Sequence, residues 1–253
     1  MQLVLQYNGA HFAGWQRQPD ERTVQGVLED AMKRLCGTRI AVLGAGRTDA
    51  GVHAVGQAAG VIVPIKWTHD SLKRALNAVL PKDVRVAESH EMKPGFHARY
   101  SATSRSYRYL VGTDDDAESP FRVDRELAWR RPVELSILRE LAAVIVGDKS
   151  FRGFAVKGTA PESDDHRCIV LHSEWVERTG GLTFMITANR FLHHMVRFLV
   201  GTMLDVASGR RSKEIVGQLL ESEDNHDVSP PAPPHGLYLE RVEYPSELYM
   251  VNA

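Results

Sequence analysis

Apolar positions along this chain follow two rhythms, one of period two and one near 3.6, and their order predicts its elements. "LVLQY" (Leu3 to Tyr7) reads as a short strand. In "VQGVLEDAMKRLCG", Val24, Val27, Leu28, Ala31 and Leu35 keep helical spacing, and Thr23 is placed to cap the first turn. "THDSLKRALNAVLP" predicts a second helix, capped by Thr68 and stopped before Pro81. "VRVAESHEM" predicts a strand. In "SATSRSYRYLVG" (Ser101 to Gly112), Ser104, Ser106 and Arg108 alternate with Arg105, Tyr107 and Tyr109. Between the two helices, "IAVL" leads into "LGAGRTDAGVHA" (Leu43 to Ala54) and "VGQAAGVIVP" leads out. That stretch reads as a glycine-rich loop joining two buried strands, with one carboxylate, Asp49, at its apex.

The second half repeats the style. "ELSILRELAAVIVG" predicts a helix, and "HRCIVLHSEWVER" with "GGLTFMITANR" a hairpin around Gly180–Gly181. A long helix is expected from near Phe191 and a shorter one from Ser212. "HDVSPPAPPHG" must be loop, and "GLYLERVEYP" closes the pattern as a strand. The expectation is an α+β chain of two halves, 1–103 and 104–253, sharing one sheet. No sequence repeat relates them.

Composition narrows the classes. The formal charge is −1, from 31 basic and 32 acidic residues, which excludes a uniformly basic nucleic-acid binder. The charge is segregated, however. Acids gather in "TDDDAES" and "ESEDNHD", bases in "HARYSATSRSYRY" and "NRFLHHMVR", and local patches decide what a surface attracts. The two cysteines, Cys36 and Cys168, are too few for a disulfide framework and suit a reducing cytosol. No run approaches the roughly 18 apolar residues of a membrane helix, and the start lacks a signal-peptide pattern. A cytoplasmic protein is expected.

The glycine loop is no nucleotide-phosphate cradle. Gly46 and Gly51 have P-loop spacing, but Val52 and His53 follow where Lys and Ser or Thr are needed. Gly44 and Gly46 begin a G-x-G-x-x-G whose last position is Asp49, a carboxylate that would repel pyrophosphate. Two readings stay open. In one, Asp49 hydrogen-bonds local backbone and Arg47 pairs with a neighbour, making a plain turn. In the other, Arg47 holds Asp49 ionised, if the side chains meet, as a nucleophile or base.

Companions of Asp49 lie elsewhere. On the helix expected from Phe191, Arg190, His193, His194 and Arg197 share a face, opposite Leu192, Met195, Val196, Leu199 and Met203. That face suits a phosphate backbone or plain solvent. Adjacent histidines on a helix cannot converge on one metal, and there is no H-E-x-x-H, so no metal site is expected. In "SRSYRY", Arg105, Tyr107 and Tyr109 share a strand face, a composition found on base-stacking surfaces and equally in half-buried sheets.

With these residues in place, the chain resembles the TruA family of tRNA pseudouridine synthases along its whole length. "YNGAHFAGWQRQ" with "TVQGVLEDA", "GAGRTDAGVHA", "FHARYSATSRSYRY", "FLHHMVRFLVG" and "APPHGLYL" resemble its signatures, in order. The resemblance implies two ferredoxin-like halves with joined antiparallel sheets flanking a central active-site cleft. It implies a homodimer, no cofactor and no metal, and tRNA as substrate, with uridines at positions 38–40 of the anticodon stem-loop as targets. It makes Asp49 the catalytic carboxylate and has Tyr107 stack on the target uracil. It has Arg47 pair with Asp49 and help displace the flipped nucleotide, and Leu237 line the base pocket. Arg197, His193, His194 and Arg105 fall among the substrate-binding groups. The glycines would then let an RNA backbone approach Asp49. Three stretches depart from the pattern: Asn8 stands where Asp is frequent, Gly153 where Ser or Thr is usual, and "KGTAPESDDHR" (Lys157 to Arg167) is acid-rich.

Overall fold

The computed structural model describes residues 1–159 and 163–250. It is mixed α+β, as the periodicities predict. It divides into two compact units, Met1–Arg105 joined by the chain from Tyr238 onward, and Ser106–Leu237. Set beside the halves expected at 1–103 and 104–253, the boundary falls after Arg105 and the last strand returns to the first unit.

The first unit runs β1 (Gln2–Tyr7), α1 (Val24–Cys36), β2 (Leu43–Gly44), β3 (His53–Gly60), α2 (His69–Val79) and β4 (Val84–His90), the βαββαβ order of a ferredoxin-like fold. Antiparallel pairing gives the order β4-β1-β3. The far edge of β3 is shared. The two-residue β2 pairs antiparallel at Gly60, and β10 (Leu237–Glu243) pairs parallel at His53 and Ala54. Leu3, Leu5, Val24, Leu28, Met32, Leu72, Leu76 and Val86 form the core. Thr23 caps α1 by accepting from the Gly26 amide at 3.2 Å, and Gly37 ends it in the left-handed region at φ +73°. Thr68 and Ser71 close a reciprocal capping box on α2. The strand expected from Ile40 shrinks to Leu43–Gly44 because the Val42 carbonyl accepts from Gln25 Nε2 of α1 at 3.0 Å instead of from a strand.

The second unit holds most of β5 (Ser104–Gly112), then β6 (Leu127–Ala128), α3 (Leu135–Val144), β7 (Gly147–Ser150), β8 (Arg167–Arg178), β9 (Gly181–Ala188), α4 (Met195–Ala207) and α5 (Ile215–Glu221). Its strands lie in the order β5-β9-β8-β7, with β6 on β5. The β8–β9 hairpin closes as expected, with Arg178 opposite Gly181 and Gly180 at φ +76°. Trp175 of β8 and Phe184 of β9 are buried, as are Leu138 of α3 and Met203 of α4. Around the acidic turn, buried Glu126 accepts from both Arg122 and Arg178, while Arg122 also binds both oxygens of Asp114 at 2.9 Å.

The helix expected from Phe191 begins only at Met195. His194 sits at φ +61°, and the His193 carbonyl accepts from the Val156 amide at 3.2 Å rather than from the next helical turn. Arg190, His193 and His194 therefore precede the helix. The single helical face proposed for them with Arg197 does not exist.

Candidate active-site loop

Asp49 sits half-buried in the turn between β2 and β3. Its carbonyl accepts from the Val52 amide at 3.2 Å, and Gly51 carries the turn at φ +78°. The loop is braced from beneath by the segment that follows β1. Trp15 N donates to Thr48 O at 3.0 Å, and Gly51 N donates to Phe12 O at 3.3 Å. Buried Tyr7 and Thr48 join hydroxyls at 2.8 Å. Gln57 of β3 donates to Gly46 O at 3.1 Å. Ring nitrogen Nδ1 of buried His53 accepts from the Gly9 amide at 3.0 Å, and the ring stacks on Tyr238 of β10 at 4.7 Å.

The glycines in these two segments serve close approach. A β-carbon on Gly9 would overlap the Val52 carbonyl. One on Gly14, at φ +97°, would lie 2.8 Å from Thr48 O. A β-carbon on Gly44 would meet the Trp15 indole at 2.5 Å. Of the loop's own glycines, Gly44 makes room for protein and Gly51 permits a turn. Gly46 has open space over its Cα. Gly44 thus serves packing against Trp15, not an approaching RNA backbone. The sequence reading missed the braces, although Tyr7, Gly9, Gly14 and Trp15 all lie in "YNGAHFAGWQ" and His53 in "GVHA".

The other expected site residues fall as follows. Arg47 is exposed and enters no ion pair among the described residues, so the expected pair with Asp49 is not formed. The Thr48 between them points into the core, where its hydroxyl meets Tyr7. Arg105 belongs to the same unit and binds backbone. Its Nη2 donates to Ala45 O at 3.2 Å and Arg99 O at 2.7 Å, and its Nη1 to Ala102 O at 3.2 Å.

Tyr107, His193, His194, Arg197 and Leu237 belong to the second unit. The Tyr107 ring meets Phe191 edge-on at 5.0 Å, and the imidazoles of His193 and His194 lie 4.1 Å apart. Arg197 Nε donates to Ala232 O at 2.7 Å, fastening the proline-rich loop to α4. Leu237 is buried. Tyr109 is fully buried, with its hydroxyl on Pro233 O at 2.8 Å, so the strand-face grouping with Tyr107 holds a core residue rather than a second stacking surface. Arg190 is committed to Asp164, at 2.5 and 3.3 Å. The "KGTAPESDDHR" loop thus supplies that arginine's partner; its residues 160–162 lie outside the described residues. Gly153 packs so tightly that a β-carbon would overlap Leu219 O, which explains the absence of Ser or Thr there.

An aspartate raised on a braced, glycine-lined turn of a ferredoxin-like unit defines a class that the family comparison matches. The model for tRNA pseudouridine synthase fits residues 3–101 and 141–245, and the chain belongs to that family. It is therefore an isomerase of uridine in tRNA. Among its relatives, the protein named tRNA pseudouridine synthase A of Methylococcus capsulatus is 39% identical over 97% of this chain and 89% of its own. The same-named protein of Geobacillus kaustophilus is 37% identical over 98% and 95%, and that of Rhodospirillum rubrum 39% over 97% and 87%.

Proposed function

We propose that this chain isomerises uridine to pseudouridine at positions 38–40 of the tRNA anticodon stem-loop, with Asp49 as the essential carboxylate. The observation that carries the assignment is the bracing of the Asp49 turn. Backbone bonds from Trp15 and Gly51, and the Tyr7–Thr48 hydroxyl pair, fix a half-exposed carboxylate on a rigid support.

The reaction breaks the N1–C1′ bond, turns the uracil and joins C5 to C1′, with the C5 hydrogen leaving as a proton and N1 taking one up. Cleavage builds oxocarbenium-like charge at C1′, which a carboxylate stabilises or traps. Asp49 either adds to C1′ or takes the C2′ proton; a primary deuterium isotope effect at C2′ marks the second route. The target base must leave its stack at a cost of a few kcal/mol, and stacking on Tyr107 offsets part of that cost. Exposed Arg47 enters no ion pair among the described residues and is suited to help displace the flipped nucleotide. Leu237 supplies apolar lining, and Arg197, His193 and His194 lie among the RNA contacts. The working form is a cytoplasmic homodimer. In support of that compartment, Cys36 and Cys168 are not joined in a disulfide. Among the described residues no helix is long and apolar enough to cross a membrane.

The test is tritium release from tRNA labelled at uridine C5. Wild type releases it, and Asp49→Ala releases none while still binding tRNA. Equal release by both would reject Asp49, and binding without release by either would leave an RNA-binding module.

A further inference from the structure

Between β4 and β5 the chain makes a turn, 97–101, that the proposed chemistry does not use. Its inner side is firmly mounted. Ala98 is buried, its carbonyl accepts the Tyr244 hydroxyl at 2.6 Å, and Phe96 meets the Tyr244 ring edge-on at 5.1 Å. The turn is also tied to itself. His97 Nδ1 accepts from the amides of Arg99 and Tyr100 at 3.1 and 3.3 Å, and Ser101 N donates to His97 O at 2.9 Å.

Its outer side is open. Tyr100 is 78% exposed, with the His97 ring at 4.4 Å and the Arg99 guanidinium at 5.9 Å. Arg99 is exposed and has no acidic partner among the described residues. Residues 92–113 contain no Asp or Glu but include Lys93, His97, Arg99, Arg105 and Arg108. The carboxylate of Glu243, whose backbone lies against Thr103, is taken by Arg241 at 2.5 Å. Finally, Arg105 Nη2 bridges the Arg99 carbonyl of this turn and the Ala45 carbonyl at the entrance to the Asp49 loop.

From this arrangement we infer that the 97–101 turn is a second RNA contact, in which Tyr100 stacks on an unpaired nucleobase and Arg99 meets an adjoining phosphate. The inference rests on the reading of the chain as acting on tRNA. A rigid, exposed aromatic beside unpaired positive charge is what single-stranded RNA recognition needs. The Arg105 bridge couples this contact mechanically to the loop that carries Asp49.

The probe is an unmodified anticodon stem-loop transcript, with Kd measured by filter binding at two salt concentrations. Tyr100→Ala is expected to raise Kd about 5- to 150-fold, the range of one lost stack. Tyr100→Trp should restore it, and Tyr100→Leu should not. Arg99→Ala should flatten the log Kd against log salt line by about one phosphate's worth. Ile62→Ala, equally exposed in the same unit but outside the basic run, should bind as wild type. Unchanged Kd for Tyr100→Ala, or restoration by leucine, would overturn the stacking contact. So would a change of oligomeric state in Tyr100→Ala by sedimentation, which would mark an interface between copies. Tritium release by wild type reports separately on the isomerase, so either conclusion can fail alone.

Discussion

Tyr7 places a phenol in the core directly beneath the Asp49 turn, and its hydroxyl has Thr48 as partner. Burial is the main reason its ionisation is pushed up to about 12. An unfolded tyrosine ionises near 10, so the folded state holds a proton that the unfolded state loses. The resulting stability is complete below about pH 10 and is lost as pH rises through about 12. Tyr7→Phe should therefore flatten the alkaline limb of a stability–pH curve. At neutral pH it should cost about 1 kcal/mol through the unsatisfied Thr48 hydroxyl, read by urea unfolding. Such support was only half legible in the sequence. The run "GAGRTDAG" announced a tight turn with an acid. That Gly44 yields to Trp15, a residue far away in the chain, depends on a packing contact that no local pattern carries.

Among the elements, the helices with side-chain caps were read nearly to the residue. Thr23 and Thr68 are polar residues immediately before apolar helical spacing, and both cap as their chemistry requires. Helix α4 was misread at its start because Leu192 keeps the helical apolar spacing although the backbone turns left-handed at His194. Asp164, in the acidic loop before β8, engages Arg190 after β9. The Arg190 guanidinium is the chief cause holding its carboxyl below the ordinary range. Because the folded value is depressed, this contribution is present above the unfolded carboxylate value near 3.9 and is lost as pH falls through the folded one. Asp164→Asn should remove that part of the acid limb. It should cost about 1 kcal/mol at pH 7, Arg190 being partly solvated, as chemical denaturation at several pH values would read.

For the whole molecule, a net charge of −1 conceals a long stretch without acids and separate acidic runs. Binding of tRNA should therefore depend on patches. Its Kd is expected to rise about tenfold or more between 50 and 200 mM salt, and a flat response would reject phosphate contact. Summed composition hid this, whereas position along the chain revealed it. Nothing in "GLYLERVEYP" says which strand it joins. That strand pairs with β3 at His53 and Ala54, stacks Tyr238 on His53, and passes so near Gly56 that a β-carbon there would overlap the Glu240 carbonyl. During synthesis the ribosome makes the whole "GAGRTDAGVHA" stretch early, yet the residue that packs on His53 emerges almost two hundred residues later. A nascent chain halted before Tyr238 would carry every atom of the Asp49 turn on an unfinished support. The support of that turn is thus complete only when the final strand has been made.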